Sequence, residues 1–549
     1  MTQVIETIDE LKSWVASLAL IIEDNGDLGS AFYQTIIQAP DVALYLIELM
    51  QSLKEADCDG EQSSYYSACI FALDVCVSQL HSGAESGHKW AEKTLKQLMQ
   101  RLSAALNANT HSLGFWLPIL NSFYDVRVEL SDELKQSYLS LATQEESFTP
   151  EGDVLHLNSI RDLISELSYL SVFDIAEHFF AQSYAMPPDF FSDLLIDLYN
   201  MDEGHEIALL MLLHPDPEVR AEVIDTLAGI MPELTLSSIA LTRLQAIKSW
   251  YPSNYHAQMD HWIKMQRKKG VVYVTSVPST LVSLHATEVD GSGAQGIFFT
   301  LRRNRKQRLC GLLFKQAVGL KEAWMTTALS AADAKRYHEE AFDDRVMLRP
   351  VDLEYLQTMT NHFLSLTIAH GSMPDLHLLE IQEALGITFV PRGLNVPELF
   401  ATLSIAVVPF TAARVDQALK RSMIWAKQKR FTDSWYQENI HIDKLVNRCC
   451  TFVNGERRCR VEDAMDMVFA EEIELHRAHW HFHFLWMAFW LKSGARKNEK
   501  TWEDALLLAY VIEQGMPMSQ IPLMRSICNQ SVINSLHTMQ ERRTHLNQE

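Results

Sequence analysis

The sequence predicts a mainly α-helical protein with a small antiparallel β-meander, at about residues 270–316, between two helical regions. Apolar residues recur at three-to-four spacing over residues 1–265, which is the period of an amphipathic helix. After Gly270 the pattern changes to short runs rich in Val, Phe and Leu, and helical spacing resumes from Lys321. A chain of 549 residues also exceeds what one hydrophobic core serves. We therefore expect three segments: 1–265, 270–316 and 321–549.

The first helical region shows apolar stripes separated by short breaks. The clearest stripes are Leu11, Trp14, Leu18 and Ile22, and then Val42, Leu46, Leu49 and Leu53. Each break is only a few residues long, as is usual for connections between packed helices. We predict a series of helical hairpins and no strand before residue 270.

The most specific local pattern lies in residues 207–250. An apolar helix ends at His214-Pro215-Asp216-Pro217. Asp216 can cap the following helix, and Pro217 supplies a fixed φ suited to its first position. The apolar face of that helix comprises Val219, Val223 and Leu227. The segment resembles a HEAT repeat, whose second helix typically follows an Asp/Pro turn and begins with a Val-Arg pair. The resemblance implies an armadillo-type α-solenoid that presents an extended surface to partners.

The meander is predicted from four apolar runs and two turn signals. The runs are residues 271–275, 281–289, 296–302 and 309–315. Asp290-Gly291 and the region of Asn304 are typical of hairpin turns. The two central runs are apolar on both faces, so we expect helices to cover both sides of the sheet.

The C-terminal region, residues 321–549, returns to helical spacing. Helices are predicted at 331–342, 352–368, 376–385, 396–403, 415–427, 463–492 and 503–514. Pro391, Pro409 and a loop at 494–500 separate them.

Composition indicates a globular protein in a reducing compartment. Eight Cys in so long a chain do not suggest a disulfide framework, and most lie in apolar helical contexts. The N-terminus shows no secretory signal pattern. The longest apolar segment, residues 480–491, is shorter than the roughly 20 residues that cross a bilayer. We predict a cytoplasmic protein without a membrane partner.

Charge is distributed unevenly along the chain. The formal net charge is −23, yet residues 264–315 contain ten Lys/Arg and only two acidic residues. That stretch therefore carries +8, and the rest of the chain carries −31. Its densest part, which we call the basic hairpin, consists of Arg302, Arg303, Arg305, Lys306 and Arg308. These cations would flank a hairpin turn and could dock on an acidic protein surface or neutralise phosphates. The alternatives are a solvated tip that protects sheet edges, or internal ion pairs.

A glycine motif stands just before the basic hairpin. Gly291-Ser-Gly293-Ala-Gln-Gly296 matches G-x-G-x-x-G, but a strand follows it, whereas a dinucleotide-binding loop opens a helix. Strand–loop–strand is the layout of a kinase glycine loop, and Lys315 follows at a suitable distance. No His-Arg-Asp or Asp-Phe-Gly motif accompanies it, so the loop is predicted to be a hairpin connection.

The strongest candidate for chemistry is a His-rich helix. Glu472, His476, His479 and His483 follow at i, i+4, i+7 and i+11, which places them on one helical stripe. An i, i+4 pair can bind one metal ion, although neither H-E-x-x-H nor the E-x-x-H of di-iron bundles occurs. Six neighbouring aromatic residues make this helix apolar nearly all round. Buried core histidines are therefore the favoured interpretation.

Two further site types receive little support. Cys449, Cys450 and Cys459, with His441, could suggest zinc, but adjacent Cys are poor tetrahedral ligands and no second C-x-x-C occurs. Gly-x-Ser-x-Gly is absent, and the carboxylates are scattered.

We therefore predict a non-enzymatic interaction scaffold or adaptor without a small-molecule cofactor. It would use a solenoid surface and the basic hairpin to bind a protein partner. The alternatives are a nucleic-acid-associated HEAT-like protein and a metal-dependent enzyme built on the His/Glu helix.

Overall fold

A computed structural model of the protein describes residues 5, 7–23, 35–36, 39–55, 64–146, 152–274, 277–341, 347–425, 435–453, 456–494 and 499–546. The chain divides into two compact units, Met1–Ala208 and Leu209–Glu549. The described residues are mainly helical, and a small antiparallel sheet lies between helical segments. The predicted fold class is therefore confirmed. No helix in the described ranges is long and apolar enough to cross a bilayer.

The first unit is helical throughout its described parts. Leu11, Trp14 and Leu18 of the predicted first stripe are buried in its core. Ser171 begins one helix with a capping box, in which its hydroxyl accepts from the Asp174 N–H and the Asp174 carboxylate accepts from the Ser171 N–H. The helices are α1 (Ile8–Glu23), α2 (Ala43–Gln51), α3 (Ser64–Glu85), α4 (Lys89–Asn107), α5 (Leu113–Asp125), α6 (Asp132–Glu146), α7 (Gly152–Glu166), α8 (Val172–Gln182) and α9 (Phe190–Tyr199), followed by α10 (His205–Leu210) at the unit boundary.

The second unit places helices before and after its sheet. Three helices come first: α11 (Pro217–Ile230), α12 (Ser238–Lys248) and α13 (Ser253–Lys268). The later ones are α14 (Ala331–Ala341), α15 (Leu353–Ala369), α16 (Leu376–Leu385), α17 (Val396–Ser404), α18 (Ala412–Trp425), α19 (Ile440–Arg448), α20 (Val461–Val468), α21 (Arg477–Ser493), α22 (Thr501–Glu513) and α23 (Pro522–Leu546).

The sheet has five antiparallel strands in the order β4-β3-β2-β1-β5. These strands are β1 (Thr280–Thr287), β2 (Ala294–Arg303), β3 (Lys306–Lys315), β4 (Gly319–Met325) and β5 (Leu348–Pro350). The three later runs of the predicted meander are thus strands, and both predicted turns join them. The first predicted strand is wrong, because residues 271–274 lie in no strand and Thr275 lies outside the described residues. Strands β4 and β5 were not predicted; β4 has charged residues in its middle, and β5 has only three residues.

The two faces of the sheet differ in how they are covered. One face carries Ile297, Phe299, Leu312 and Phe314, which are almost fully buried against helices. Phe314 stacks on Phe363 of α15 with ring centroids 4.7 Å apart. Side chains of the opposite face, including Phe298 and Trp324, are only half-buried, and α14 packs beside β3. The expected cover on both faces is therefore complete on one face only.

The helices before the sheet pack with helices after it. Arg220 of α11 donates to the Gly371 carbonyl at 3.1 Å, and the Arg243 guanidinium of α12 binds the Glu383 carboxylate of α16 at 2.8 Å. These contacts join segments that sequence analysis separates at residues 265–321. As a result, α11–α13 and the sheet belong to one compact unit instead of two segments.

The Asp/Pro turn before α11 forms as predicted. Asp216 caps the helix by accepting from the Glu218 N–H at 2.8 Å, and Pro217 occupies the first helical position. Val219, Val223 and Leu227 are buried together on the predicted face. The Arg220 guanidinium donates to the carbonyls of His214 and Pro215, each at 2.7 Å, which closes the turn. The HEAT resemblance itself stays a prediction.

A second, two-stranded sheet follows α19. Strands β6 (Cys450–Val453) and β7 (Glu456–Cys459) pair in antiparallel register, and Cys450 faces Cys459 in a disulfide. The sequence did not suggest a disulfide framework, and this one disulfide was not predicted; it forms because the hairpin places the two cysteines directly opposite each other. Cys69, Cys76, Cys310, Cys449 and Cys528 are buried thiols outside any disulfide. A cytoplasmic location stays a prediction.

Candidate functional site

The basic hairpin is the connection between β2 and β3. Arg303 and Lys306 are cross-strand partners, so Asn304 and Arg305 form a two-residue turn. Asn304 has φ of 57°, in the left-handed region that Asn tolerates better than most residues. The local sequence thus produces a tight turn with cations on both sides.

Four of the five cations project to solvent. Arg302, Arg303, Arg305 and Lys306 are all exposed, and we call them the tip cations. None of them forms an ion pair with another residue in the described part of the chain. The tip cations therefore form a concentrated positive site held by a two-residue turn.

Arg308 is engaged inside the protein. Its Nη1 lies 2.8 Å from the Glu380 carboxylate of α16, and its Nε donates to the Thr326 carbonyl at 2.9 Å. Glu380 is buried, and its second oxygen lies 2.9 Å from His377 Nδ1. Breaking a buried pair leaves an uncompensated charge, which is strongly destabilising. Arg308 therefore anchors the base of the hairpin, and the tip cations are the part available to a partner.

The His-rich segment is not one continuous helix. Helix α20 ends at Val468, a π-helical turn spans Phe469–Ile473, and α21 begins at Arg477. The predicted helix over 463–492 is wrong in this respect. Glu474 after the π turn accepts from the Met518 N–H and pairs with Arg477, so tertiary contacts hold the break. Because the turn is wider than an α turn, the predicted stripe from Glu472 to His483 is interrupted.

The four candidate metal ligands fall into two groups. Glu472 accepts from the Asn439 side chain at 3.0 Å, and each of His476 and His441 approaches one of its oxygens to 3.8 Å. His479 and His483 lie further along α21, with ring centroids 6.1 Å apart. Within the described residues, no three His, Cys, Asp or Glu side chains are arranged to hold a metal ion. The geometry gives the metal hypothesis no support.

His479 and His483 lie in an apolar environment without hydrogen-bond partners. Both ring nitrogens of His483, Nε2 of His479 and Nε1 of Trp480 are buried and unpartnered. Burial lowers the pKa of His483 to about 3, with a smaller contribution from His479. Burial likewise lowers the pKa of His479 to about 4, assisted by His476. Both imidazoles are neutral near pH 7, as the interpretation of buried core histidines requires.

The glycine motif packs against this histidine group. Asp290 organises the loop, since its Oδ1 accepts from the N–H groups of Ser292 and Ala294. Gly293 has φ of 77°, and a Cβ there would lie 2.9 Å from Gln316 Oε1 and 3.5 Å from His479. The glycine is thus explained by backbone conformation and close packing within a hairpin connection.

A hydrogen-bonded polar network surrounds Trp486, farther along α21. Gln295 Oε1 accepts from the Tyr355 hydroxyl at 2.7 Å and from Trp486 Nε1 at 3.2 Å, and Gln295 Nε2 donates to the Thr287 carbonyl at 2.8 Å. Gln295 is itself part of the glycine motif. Sequence reasoning missed this role, although a glutamine inside an otherwise apolar strand was an available signal.

Sequence reasoning also missed the ion pair at the base of the hairpin. Glu380, which holds Arg308, is 72 positions away in the chain, so no local pattern indicates the pair. Residues 271–274, which belong to the first predicted strand, lie in no strand, and several of their apolar side chains are exposed.

Two domain families resemble parts of the chain. Residues 187–270 match the Y4lR second domain, and residues 397–536 match the Y4lR C-terminal helical domain. The chain is 22% identical over 327 residues to the uncharacterized protein y4lR of Sinorhizobium fredii (strain NBRC 101917 / NGR234). That similarity covers 58% of this chain and 60% of the relative's length. No solved structure matches the chain.

Proposed function

We propose that the protein is a non-enzymatic scaffold or adaptor whose tip cations dock on an acidic surface of a protein partner. The observation that carries this proposal is the arrangement of Arg302, Arg303, Arg305 and Lys306 around one two-residue turn. Their charges act together, because exposed like charges within about 10 Å are not fully screened at physiological salt. The ion pair between the half-buried Arg308 and the buried Glu380 supports the proposal by holding the hairpin to α16.

The proposal also includes the helical hairpins, which would offer a further surface to the partner. The capped turn before α11 and the buried face of that helix support a HEAT-like arrangement. HEAT-like repeats mostly offer extended surfaces to partners. The tip would then add charge selectivity to a larger contact area.

A protein partner is favoured over nucleic acid by the charge of the remaining chain. Outside residues 264–315 the formal charge is −31, which opposes long phosphate backbones more than a local acidic patch. The tip also lacks an exposed aromatic platform for bases: Phe299 is buried, and Phe298 is half-buried on the open face of the sheet.

The test is comparative capture of partners by the full-length chain. Wild type, R302E/R303E/R305E and K89E/K93E/K96E would be used to capture proteins from the source lysate. The last variant makes the same change in charge on exposed lysines of α4. We expect partners to be captured by wild type and by the α4 variant, and to be reduced at least about tenfold by the tip variant.

Gel retardation of a DNA duplex and of an RNA distinguishes the alternative. A shift that weakens steeply with salt and disappears in the tip variant would favour nucleic acid. Equal capture by all three proteins would refute the docking proposal.

A further inference from the structure

The disulfide between Cys450 and Cys459 differs from the other described cysteines in its exposure to solvent. Both of its residues are partly exposed, whereas the five described thiols outside any disulfide are buried. A thiol or disulfide in solution reacts only with protein sulfur that it can reach. Among the described cysteines, Cys450 and Cys459 are therefore the pair that is open to exchange chemistry.

Backbone hydrogen bonds keep these two cysteines opposite each other independently of the disulfide. The Arg460 N–H donates to the Cys449 carbonyl at 3.1 Å, directly beside the pair, and β6 and β7 are paired on its other side. In this register Cys450 and Cys459 occupy a non-hydrogen-bonded position, where facing side chains of an antiparallel pair come closest. The sulfur–sulfur bond can thus open and close while the backbone pairing beside it stays in place.

The helices on either side of the hairpin are held by other contacts. The Ser535 hydroxyl of α23 donates to the Asp443 carboxylate of α19 at 2.7 Å, and α20 packs against both of these helices. A disulfide between residues nine positions apart closes a short loop, so it removes less chain entropy than a bond between distant residues. We therefore expect α19, α20 and α23 to stay packed when the disulfide is reduced.

The adjacent thiol of Cys449 lies outside the exchange site. Cys449 is buried, and its Sγ lies 3.3 Å from Met467 Sδ of α20. Cys450 Sγ lies instead 3.2 Å from the Val446 carbonyl oxygen of α19. Neighbouring sulfurs thus lie against different helices, and α19 covers one side of the Cys450 sulfur.

Positive charge flanks Cys459 in the chain. Arg458 and Arg460 are both exposed, and the Arg460 guanidinium pairs with the Asp463 carboxylate at 2.7 Å. Neighbouring cations favour the thiolate, which is the reactive form of a cysteine, and they attract an anionic thiol compound. Cys459 is therefore the sulfur at which an external thiol is expected to enter.

We propose that Cys450 and Cys459 form a thiol–disulfide exchange site for low-molecular-weight thiols of the glutathione class. The proposal concerns a site separate from the tip cations and does not depend on them. The exchange involves no atom of residues 454 and 455, which join the two strands and lie outside the described residues.

Reduction of the disulfide takes two exchange steps. An external thiolate attacks Cys459 Sγ, the bond between the protein sulfurs breaks, and Cys450 leaves as a thiolate that takes a proton from water. A second external thiolate then attacks the external sulfur of the mixed disulfide, which forms the external disulfide and releases Cys459 as a thiolate. Two electrons pass from two external thiols to the protein, and the reverse steps restore the bond.

The test is a redox titration of the full-length chain in buffers that contain reduced and oxidised glutathione in varied ratio. Cysteines are alkylated first in the native state and then, with an isotope-labelled reagent, after denaturation, and mass spectrometry measures the state of each one. Near-UV circular dichroism and the Tm are recorded on the same samples. The variants are C450S, C459S and the matched control C449S, which removes the adjacent buried thiol.

We expect Cys450 and Cys459 to change together in one reversible transition, while Cys449 and the other buried thiols are alkylated at least about tenfold more slowly. The circular dichroism should be unchanged, and reduction should lower the Tm by no more than about 5 °C. C450S should retain a glutathione adduct on Cys459, because the second protein sulfur is missing. C459S should form its adduct at least about threefold more slowly, and C449S should titrate like wild type.

Several results would overturn the proposal. A disulfide that is reduced only when the chain unfolds would be a structural bond and not an exchange site. Cys450 and Cys459 that stay reduced in excess oxidised glutathione, or native alkylation of Cys449 as fast as theirs, would exclude a specific site. Faster adduct formation on Cys450 in C459S than on Cys459 in C450S would refute entry at Cys459. If either serine variant does not fold, the titrations of wild type and C449S still decide whether the pair exchanges.

Discussion

Helix α21 contributes side chains to two groups of buried polar residues. The two groups differ in whether their polar atoms have hydrogen-bond partners. Trp486, in its middle, donates to Gln295 and lies 3.0 Å from the Tyr355 hydroxyl, so each polar atom of that network has a partner. His479, Trp480 and His483, nearer its beginning, keep buried nitrogens without partners. Both groups are polar side chains in an apolar core. Position in the tertiary structure, and not residue type, decides which of them stabilises the fold.

The largest expected difference between the two groups is in their response to acid. A His with a folded-state pKa below 6.5 binds protons more readily when unfolded, so stability falls as pH decreases from about 6.5 toward the folded value. With a pKa of about 4, His479 alone corresponds to roughly 3 kcal/mol lost by pH 4, and His483 adds to that loss. Denaturant unfolding at several pH values measures it.

The double variant H479L/H483L is the matched test of that response. It should lose a large part of the pH dependence between pH 6.5 and 4, while His362, whose pKa burial lowers to about 4, retains its own contribution. An unchanged pH dependence in the variant would show that the histidine group does not govern acid stability.

The next largest effect on stability is expected from breaking the hydrogen-bonded network of Gln295, Tyr355 and Trp486. Gln295→Met keeps similar volume but removes the acceptor of the Tyr355 hydroxyl and the side-chain donor to the Thr287 carbonyl, while Trp486 keeps the Tyr355 oxygen as its acceptor. Each unsatisfied buried group costs about 1–3 kcal/mol, so we expect a loss of about 3 kcal/mol in the free energy of unfolding. Chemical denaturation at pH 7 checks this value. A loss below about 1 kcal/mol would mean that the network does not contribute as its geometry indicates.

The smallest effect is expected for His483→Leu at pH 7. The substitution removes two buried nitrogens that have no partner, and it keeps an apolar side chain of similar size. We expect the free energy of unfolding to change by less than about 1 kcal/mol, because replacing unpaired polar atoms by apolar ones is close to neutral. A loss as large as that of Gln295→Met would remove the distinction between the two groups.

Local patterns were sufficient for parts of the fold that depend on neighbouring residues. Asp216 and Pro217 indicated the start of α11, and Asn304 indicated the hairpin turn, because capping and turn formation involve residues a few positions apart. The cation cluster was also visible in the sequence. Its division into an anchored Arg308 and an exposed tip was not, since Glu380 is distant in the chain.

The predictions that failed all concern features set by contacts that local sequence patterns do not report. The break at Phe469–Ile473 occurs where Glu474 bonds to the Met518 N–H, and helical periodicity carries no information on that contact. Residues 271–274 have strand-like composition, but a strand needs a neighbouring backbone, and no described strand lies next to them. The disulfide between Cys450 and Cys459 likewise depends on hairpin register.

By itself, the sequence determined the helical class of the protein, the location of its sheet, and the concentration of positive charge at Arg302–Arg308. These follow from hydrophobic period, turn residues and net charge, which are local quantities. The tertiary structure alone decided which polar groups are paired, which cations are free, and which apolar segment stays exposed. Those outcomes depend on burial and on partners far along the chain, and they define the tip cations that we propose dock on an acidic protein surface.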